Sequence, residues 1–176
     1  VSTKGRTLTG YASAFNYPID SGTKLRPQTT LVRPGAFTKT LNEHSDRVQV
    51  LVNHGMDSRW GMSPVAVVSD MHQDQTGLRV SADIIDDPSF DPLVASLKAG
   101  AFRAMSIQFE VDKEDYNEDH TERNLRELAL WEFGPVTWPA NEGAVAELNS
   151  LAKFAADLAT SQAESLADES RKRTLE

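Results

Sequence analysis

Serine, histidine and a carboxylate are the parts of an acyl-transfer site, and this chain carries one of each where apolar alternation leads a reader to expect something else. Ser106 stands mid-strand in GAFRAMSIQFEV (residues 100–111), His54 closes RVQVLVNHG (47–55), and Glu132 lies within LALWEFG (128–134). A serine hydroxyl is a weak nucleophile until a neighbouring base takes its proton, and imidazole titrates in the range to do so. A third group then fixes the imidazole tautomer and stabilises its charged form. Each residue also has a plain reading: a small polar residue in a strand, a hydrogen-bonded turn histidine, a solvent-facing glutamate. Taken singly, the three do not make an enzyme.

The elements that must position them follow from periodicity. Period two puts Arg103, Met105, Ile107, Phe109 and Val111 on one face of the 100–111 strand, and Phe102, Ala104, Ser106, Gln108 and Glu110 on the other. The same rule groups His54 with Val48, Val50 and Val52, with Gly55 ending the strand, and groups Glu132 with Leu128 and Leu130. Residues 7–17 read as a strand broken at Gly10, and Pro34-Gly35 as a turn into a short helix over about 36–43. Strands over 63–70 and 77–85 flank the turn-forming MHQDQTG and predict a hairpin. An Asp-Pro start, apolar Phe90, Leu93, Val94 and Leu97, and a Gly100 stop predict a helix within 86–100. The acidic DKEDYNEDHTE (112–122) reads as a solvated loop and 123–137 as a long β-like run. From Glu142 to about Asp168 an apolar stripe at 3.6 spacing predicts one long helix.

Composition narrows the function. The chain has 176 residues, 25% charged and 39% hydrophobic, with net charge −8 and no cysteine. An acidic chain with scattered Lys and Arg is a poor match for nucleic acid, which needs a clustered basic surface. Disulfides, thiolate chemistry and Cys-based zinc sites are excluded. His44, His54, Asp57 and His72 lack the close spacing of a metal site, and Gly100 stands alone without a phosphate-binding glycine pattern. No cofactor or metal is expected. No apolar run approaches membrane-spanning length and the first ten residues, VSTKGRTLTG, are polar, so an intracellular setting is expected.

Five motifs occur in order: RPGAF (33–37), LVNHG (51–55), TGLRVSADI (76–84), LKAGAFRAMSIQF (97–109) and LWEFGPVTWPAN (130–141). From about Gly10 to Leu148 the series resembles the prohead (capsid maturation) serine proteases of tailed bacteriophages, a family similar to the herpesvirus assembly proteases. The resemblance implies an α+β fold: a mostly antiparallel β-barrel surrounded by a few helices. A protease domain is expected over 1–148 and a mobile or partner-binding helical extension over 149–176.

It further implies a serine endopeptidase with catalytic His54 and Ser106, and aligns Glu132 with the third member, a histidine in the viral relatives. Glu110 and His120 are the rivals for that role. Glu110 lies ~13 Å along the same strand, and His120 sits in the acidic loop. Arg103 is the oxyanion candidate, although alternation puts it opposite Ser106 and a twist or bulge at Gly100 is needed to bring it round. The implied substrates are scaffold and major capsid proteins and the chain itself, within an assembling prohead in the host cytoplasm. A homo-oligomer is expected, with no nucleic-acid or membrane partner. The alternative is a catalytically inactive capsid-assembly or scaffold-type interaction module on the same fold.

Overall fold

The computed structural model describes residues 6–23 and 28–149. In chain order the elements are β1 (Thr7–Ala14), β2 (Ile19–Asp20), β3 (Thr29–Val32), α1 (Thr38–Glu43), β4 (Gln49–Val50), β5 (Ala66–Gln73) and β6 (Gly77–Ile84). They continue with α2 (Asp91–Lys98), β7 (Ala104–Tyr116), β8 (Glu122–Val136) and β9 (Val145–Asn149). The described chain is a strand-rich α+β fold with few helices, as expected. Its strands form one sheet in the order β2-β3-β8-β4-β5-β6-β1-β9-β7, with β7 also paired to β8.

The barrel expectation is corrected. The seams at β4–β5 and β7–β9 are each one residue pair wide, Val50 with Ala66 and Ala104 with Val145, and the sheet does not close into a barrel. Helix α2 forms where its pattern predicts: Asp87 accepts from Ser89 N–H ahead of it, and Leu93, Val94 and Leu97 are buried. Gly100, at φ 69°, ends it in the left-handed region that glycine enters at no steric cost. The 63–85 hairpin also forms, as antiparallel β5 and β6.

Two other expectations fail for physical reasons. Residues 112–116 are strand rather than loop, because opposite charges face each other across the β7–β8 ladder: Lys113 on Glu127, Arg126 on Asp115, and Arg123 on Glu114. Only 117–121 turn. Residues 145–149 are strand β9 rather than helix, paired antiparallel with β1 from Tyr11↔Val145 to Thr7↔Asn149, so an available sheet edge overrides helical periodicity. The remainder of the expected helix lies outside the described residues.

β8 is the spine of the molecule. β3 pairs with it in parallel at residues 122–125 and β4 in parallel at 132–133. Between them the RPGAF segment and α1 occupy its edge: Leu128 N–H donates to Ala36 O (2.8 Å), buried Thr40 donates through Oγ1 to Leu128 O (2.8 Å) and accepts from Leu130 N–H (3.0 Å). Arg33 of the same motif donates to Asn16, Asn124 and Glu122, tying the end of β1 and the start of β8 together. Beneath β8 the core gathers Leu8, Phe37, Val50, Leu78, Ile84, Met105, Leu128 and Phe133, all nearly or fully buried.

Candidate active site

Side chains paired directly across an antiparallel ladder stand on the same side of the sheet. Ile107 pairs with Phe133 and Phe109 with Leu130 on the core side, while Ser106 pairs with Gly134 and Gln108 with Glu132 on the other. One step on β7, from Gln108 to Phe109, matches two on β8, from Glu132 to Leu130, so Trp131 is the extra residue of a β-bulge. This corrects the expected grouping: Leu128 and Leu130 face the core, and the bulge moves Glu132 onto the Ser106 side. Ser106 and Glu132 are thereby diagonal neighbours, a relation in which Cβ atoms stand somewhat less than about 7–8 Å apart. An imidazole making one hydrogen bond to each has that reach.

His54 does not end a valine face. β4 stops at Val50, and Asn53, His54 and Gly55 follow with φ of 48°, 58° and 73°. Non-glycine residues in this region carry strain of about 1–3 kcal/mol each, and such strain gathers at functional sites. The chain reaches the turn by lifting off the edge of β8. Leu51 N–H donates to Phe133 O (3.1 Å), and Leu51 then crosses so close over Gly134 that a Cβ there would lie 1.8 Å from Leu51 O. Gly134 is the residue opposite Ser106. The missing side chain is what lets the histidine-bearing segment pass over the serine side of the sheet, and the turn packs against both β7 and β8.

The turn delivers the imidazole to the carboxylate: His54 Nδ1 lies 2.5 Å from Glu132 Oε1. Glu132 is buried (3% exposed), and its Oε2 has no partner among the described residues. An ionised carboxylate can only accept, so with Glu132 ionised Nδ1 carries the proton and Nε2 is the basic nitrogen. Ser106 is 6% exposed and its hydroxyl has no hydrogen-bond partner among the described residues. Hydrogen bonds between a nucleophile and its base are often long in enzymes without bound substrate.

The other expected residues lie apart from this pair. Glu110 is exposed, opposite Ala129. His120 sits at the hairpin tip with its ring 5.3 Å from that of Tyr116, itself ten residues beyond Ser106 and ~33 Å along the strand. Arg103 Nε donates to Gly100 O (2.8 Å), at the end of α2. Among the described residues no group of three or more His, Asp or Glu side chains is arranged to hold a metal.

Sequence reading missed Asn53, Gly134 and the bulge at Trp131. Asn followed two residues later by Gly is a turn signal, and a glycine inside a strand pattern marks a close backbone approach, so two of the three had a visible cue. The bulge had none.

Comparison with known proteins gives three findings. The solved structure of the bacteriophage T4 capsid assembly protease is similar with a TM-score of 0.44 and 15% identity, covering 76% of this chain and 98% of that one. The prohead protease of Enterobacteria phage HK97 is 32% identical over 137 residues, 77% of this chain and 56% of the relative, so this chain spans little more than half of that protein's length. The family profile described as caudovirus prohead serine protease matches residues 1–157. With every described residue inside that match, this protein belongs to the caudovirus prohead serine protease family.

Proposed function

We propose that this chain is a serine endopeptidase of caudovirus capsid maturation, with Ser106 as nucleophile, His54 as general base and Glu132 as the group that orients and charges-compensates the imidazole. The observation that carries the reading is the 2.5 Å contact of His54 with a buried carboxylate on the Ser106 side of the β7–β8 ladder. His54 Nε2 takes the Ser106 proton as Oγ attacks the scissile carbonyl, and Glu132 stabilises the imidazolium that forms. The imidazolium then protonates the leaving amine, and water activated by the same nitrogen hydrolyses the acyl-enzyme. Arg103 enters as oxyanion donor on the family resemblance alone.

The substrates in this reading are scaffold and capsid proteins and the chain itself, inside an assembling prohead. Exposed Met56 and Met62 follow the His54 turn in sequence and exposed Trp138 adjoins its anchor at Thr137, offering a polypeptide apolar surface beside the site. Self-association completes the proposal, because a strand-borne serine and a turn-borne histidine are easily mis-set by small shifts; specific activity then falls on dilution, and a constant value contradicts it. A fluorophosphonate, which modifies activated serines, tests the site itself. Peptide mapping is expected to find the label on Ser106, with labelling at least ~10²-fold slower in His54→Ala. Label elsewhere, or unchanged rates, would remove Ser106 from the mechanism.

A further inference from the structure

We infer that Asn53 is a positioning residue for this site: its side-chain carbonyl fastens the left-handed turn that carries His54 to the end of the strand that carries Glu132. The functional consequence rests on the Ser106–His54–Glu132 reading, whereas the structural part rests on geometry alone.

Asn53 Oδ1 accepts two hydrogen bonds from one residue, Thr137 N–H at 2.9 Å and Thr137 Oγ1–H at 3.3 Å. Thr137 is the first residue beyond β8, which ends at Val136 and contains Glu132. The same asparagine opens the turn with φ 48° and accepts from Met56 N–H at 3.0 Å through its own carbonyl, closing the backbone around His54. One residue therefore supplies left-handed tolerance, the turn closure and a tether.

The tether matters because the contact of His54 Nδ1 with Glu132 holds the ring only while the backbone beneath it keeps its turn. Its backbone lies at φ 58°, ψ 33°, a region a histidine leaves when its neighbours allow. The crossing of Leu51 over Gly134 fixes where the segment arrives, and Asn53 fixes how it turns. Without the second restraint the ring can leave Glu132 while the fold stays intact. Asparagine suits the position for a definite reason: it enters the left-handed region readily and its short side chain ends in an acceptor. Only the oxygen is used, since among the described residues no hydrogen bond engages Nδ2.

Two variants separate the contributions. Asn53→Asp keeps both the left-handed tolerance and an acceptor oxygen, whereas Asn53→Gly keeps the backbone freedom and removes the acceptor. On a quenched fluorescent peptide cleaved by the full chain, Asn53→Gly is expected to lower kcat by about 10²-fold, the cost of a displacement near 1 Å, with KM changed less than about threefold. Asn53→Asp is expected to stay within about threefold of wild type in both. NMR of the ¹⁵N-labelled imidazole adds a readout independent of turnover: the His54 Nδ1–H resonance is present in wild type and Asn53→Asp, and lost in Asn53→Gly.

Asn53→Gly with normal kcat and an intact Nδ1–H resonance overturns the inference, as does Asn53→Asp impaired as deeply as Asn53→Gly. Should Asn53→Gly fail to fold, Thr137→Pro removes both donors, the N–H and the hydroxyl, and leaves the turn's own residues alone; a lost or weakened Nδ1–H resonance supports the tether, and an unchanged one overturns it. A wild type that shows the resonance but cleaves nothing, with Asn53→Gly losing the resonance, upholds the tether and removes the protease reading.

Discussion

Among the described residues Glu132 has one oxygen on His54 and no partner for the other, in a buried site. Replacing it by glutamine presents Nδ1 with an amide that cannot stabilise an imidazolium. Glu132→Gln is expected to lower kcat by ~10³–10⁴-fold with an unchanged circular dichroism spectrum; a loss under tenfold would contradict its role. Gly134→Ala puts a methyl 1.8 Å from Leu51 O, so the segment leading to His54 must shift. Denaturant unfolding is expected to show about 1–3 kcal/mol of destabilisation and peptide kinetics a ~10²-fold loss. Ser106, His54 and Glu132 stand out in the sequence as a hydroxyl, an imidazole and a carboxylate within β-like runs, and the structure sets His54 against Glu132, although alternation alone gave the wrong face for Glu132 and the wrong element for His54. Asn53 and Gly134 were harder to see, because their work depends on one segment crossing another.

At the scale of elements, legibility followed the number of local cues. Helix α2 carries a start, an apolar stripe and a stop, and the β5–β6 hairpin carries two strand patterns around turn residues; both form. The 112–116 stretch looked like a loop because its pairing charges lie on another strand, and β9 looked helical because the β1 edge that recruits it is over 130 residues away in sequence. The Trp131 bulge turned a sound alternation argument into the wrong face for Glu132. The hairpin yields a pH prediction through Asp74. Burial raises the pKa of its carboxyl, but Tyr11 O–H and the N–H groups of Gly77 and Thr76 outweigh this and hold it below its ordinary value of 3.8. A lowered carboxyl contributes stability above that ordinary value and loses it as pH falls through the lower folded one. Tyr11→Phe is expected to cost about 0.5–1 kcal/mol at pH 7, a modest figure because the site is half open to water. The gap from wild type should narrow in denaturant titrations as pH falls below the carboxyl's ordinary value of 3.8 and through its lowered folded one; a gap that persists would mean that the bond does not depend on the carboxylate charge.

Across the whole molecule, one core supports a site assembled from segments distant in sequence, and the two can be perturbed separately. Phe37 is fully buried, with its ring centroid 6.2 Å from that of Phe15. Phe37→Ala is expected to cost about 3–5 kcal/mol and lower Tm by roughly 6–20 °C, with kcat at low temperature within about threefold of wild type. A large loss of kcat in a folded variant would instead show that core and site are coupled. The family and the strand-rich α+β class were both readable from five short motifs, whereas the open seams of the sheet were not, because they depend on pair counts between distant strands. The most direct test of the central claim is intact-mass spectrometry over time on the purified chain and on Ser106→Ala, each mixed with the capsid and scaffold proteins of its own phage. The account predicts fragments from the wild type and none from Ser106→Ala. Identical fragments from both would make Ser106 a structural hydroxyl, and no fragments from either would leave a capsid-assembly module in place of a protease.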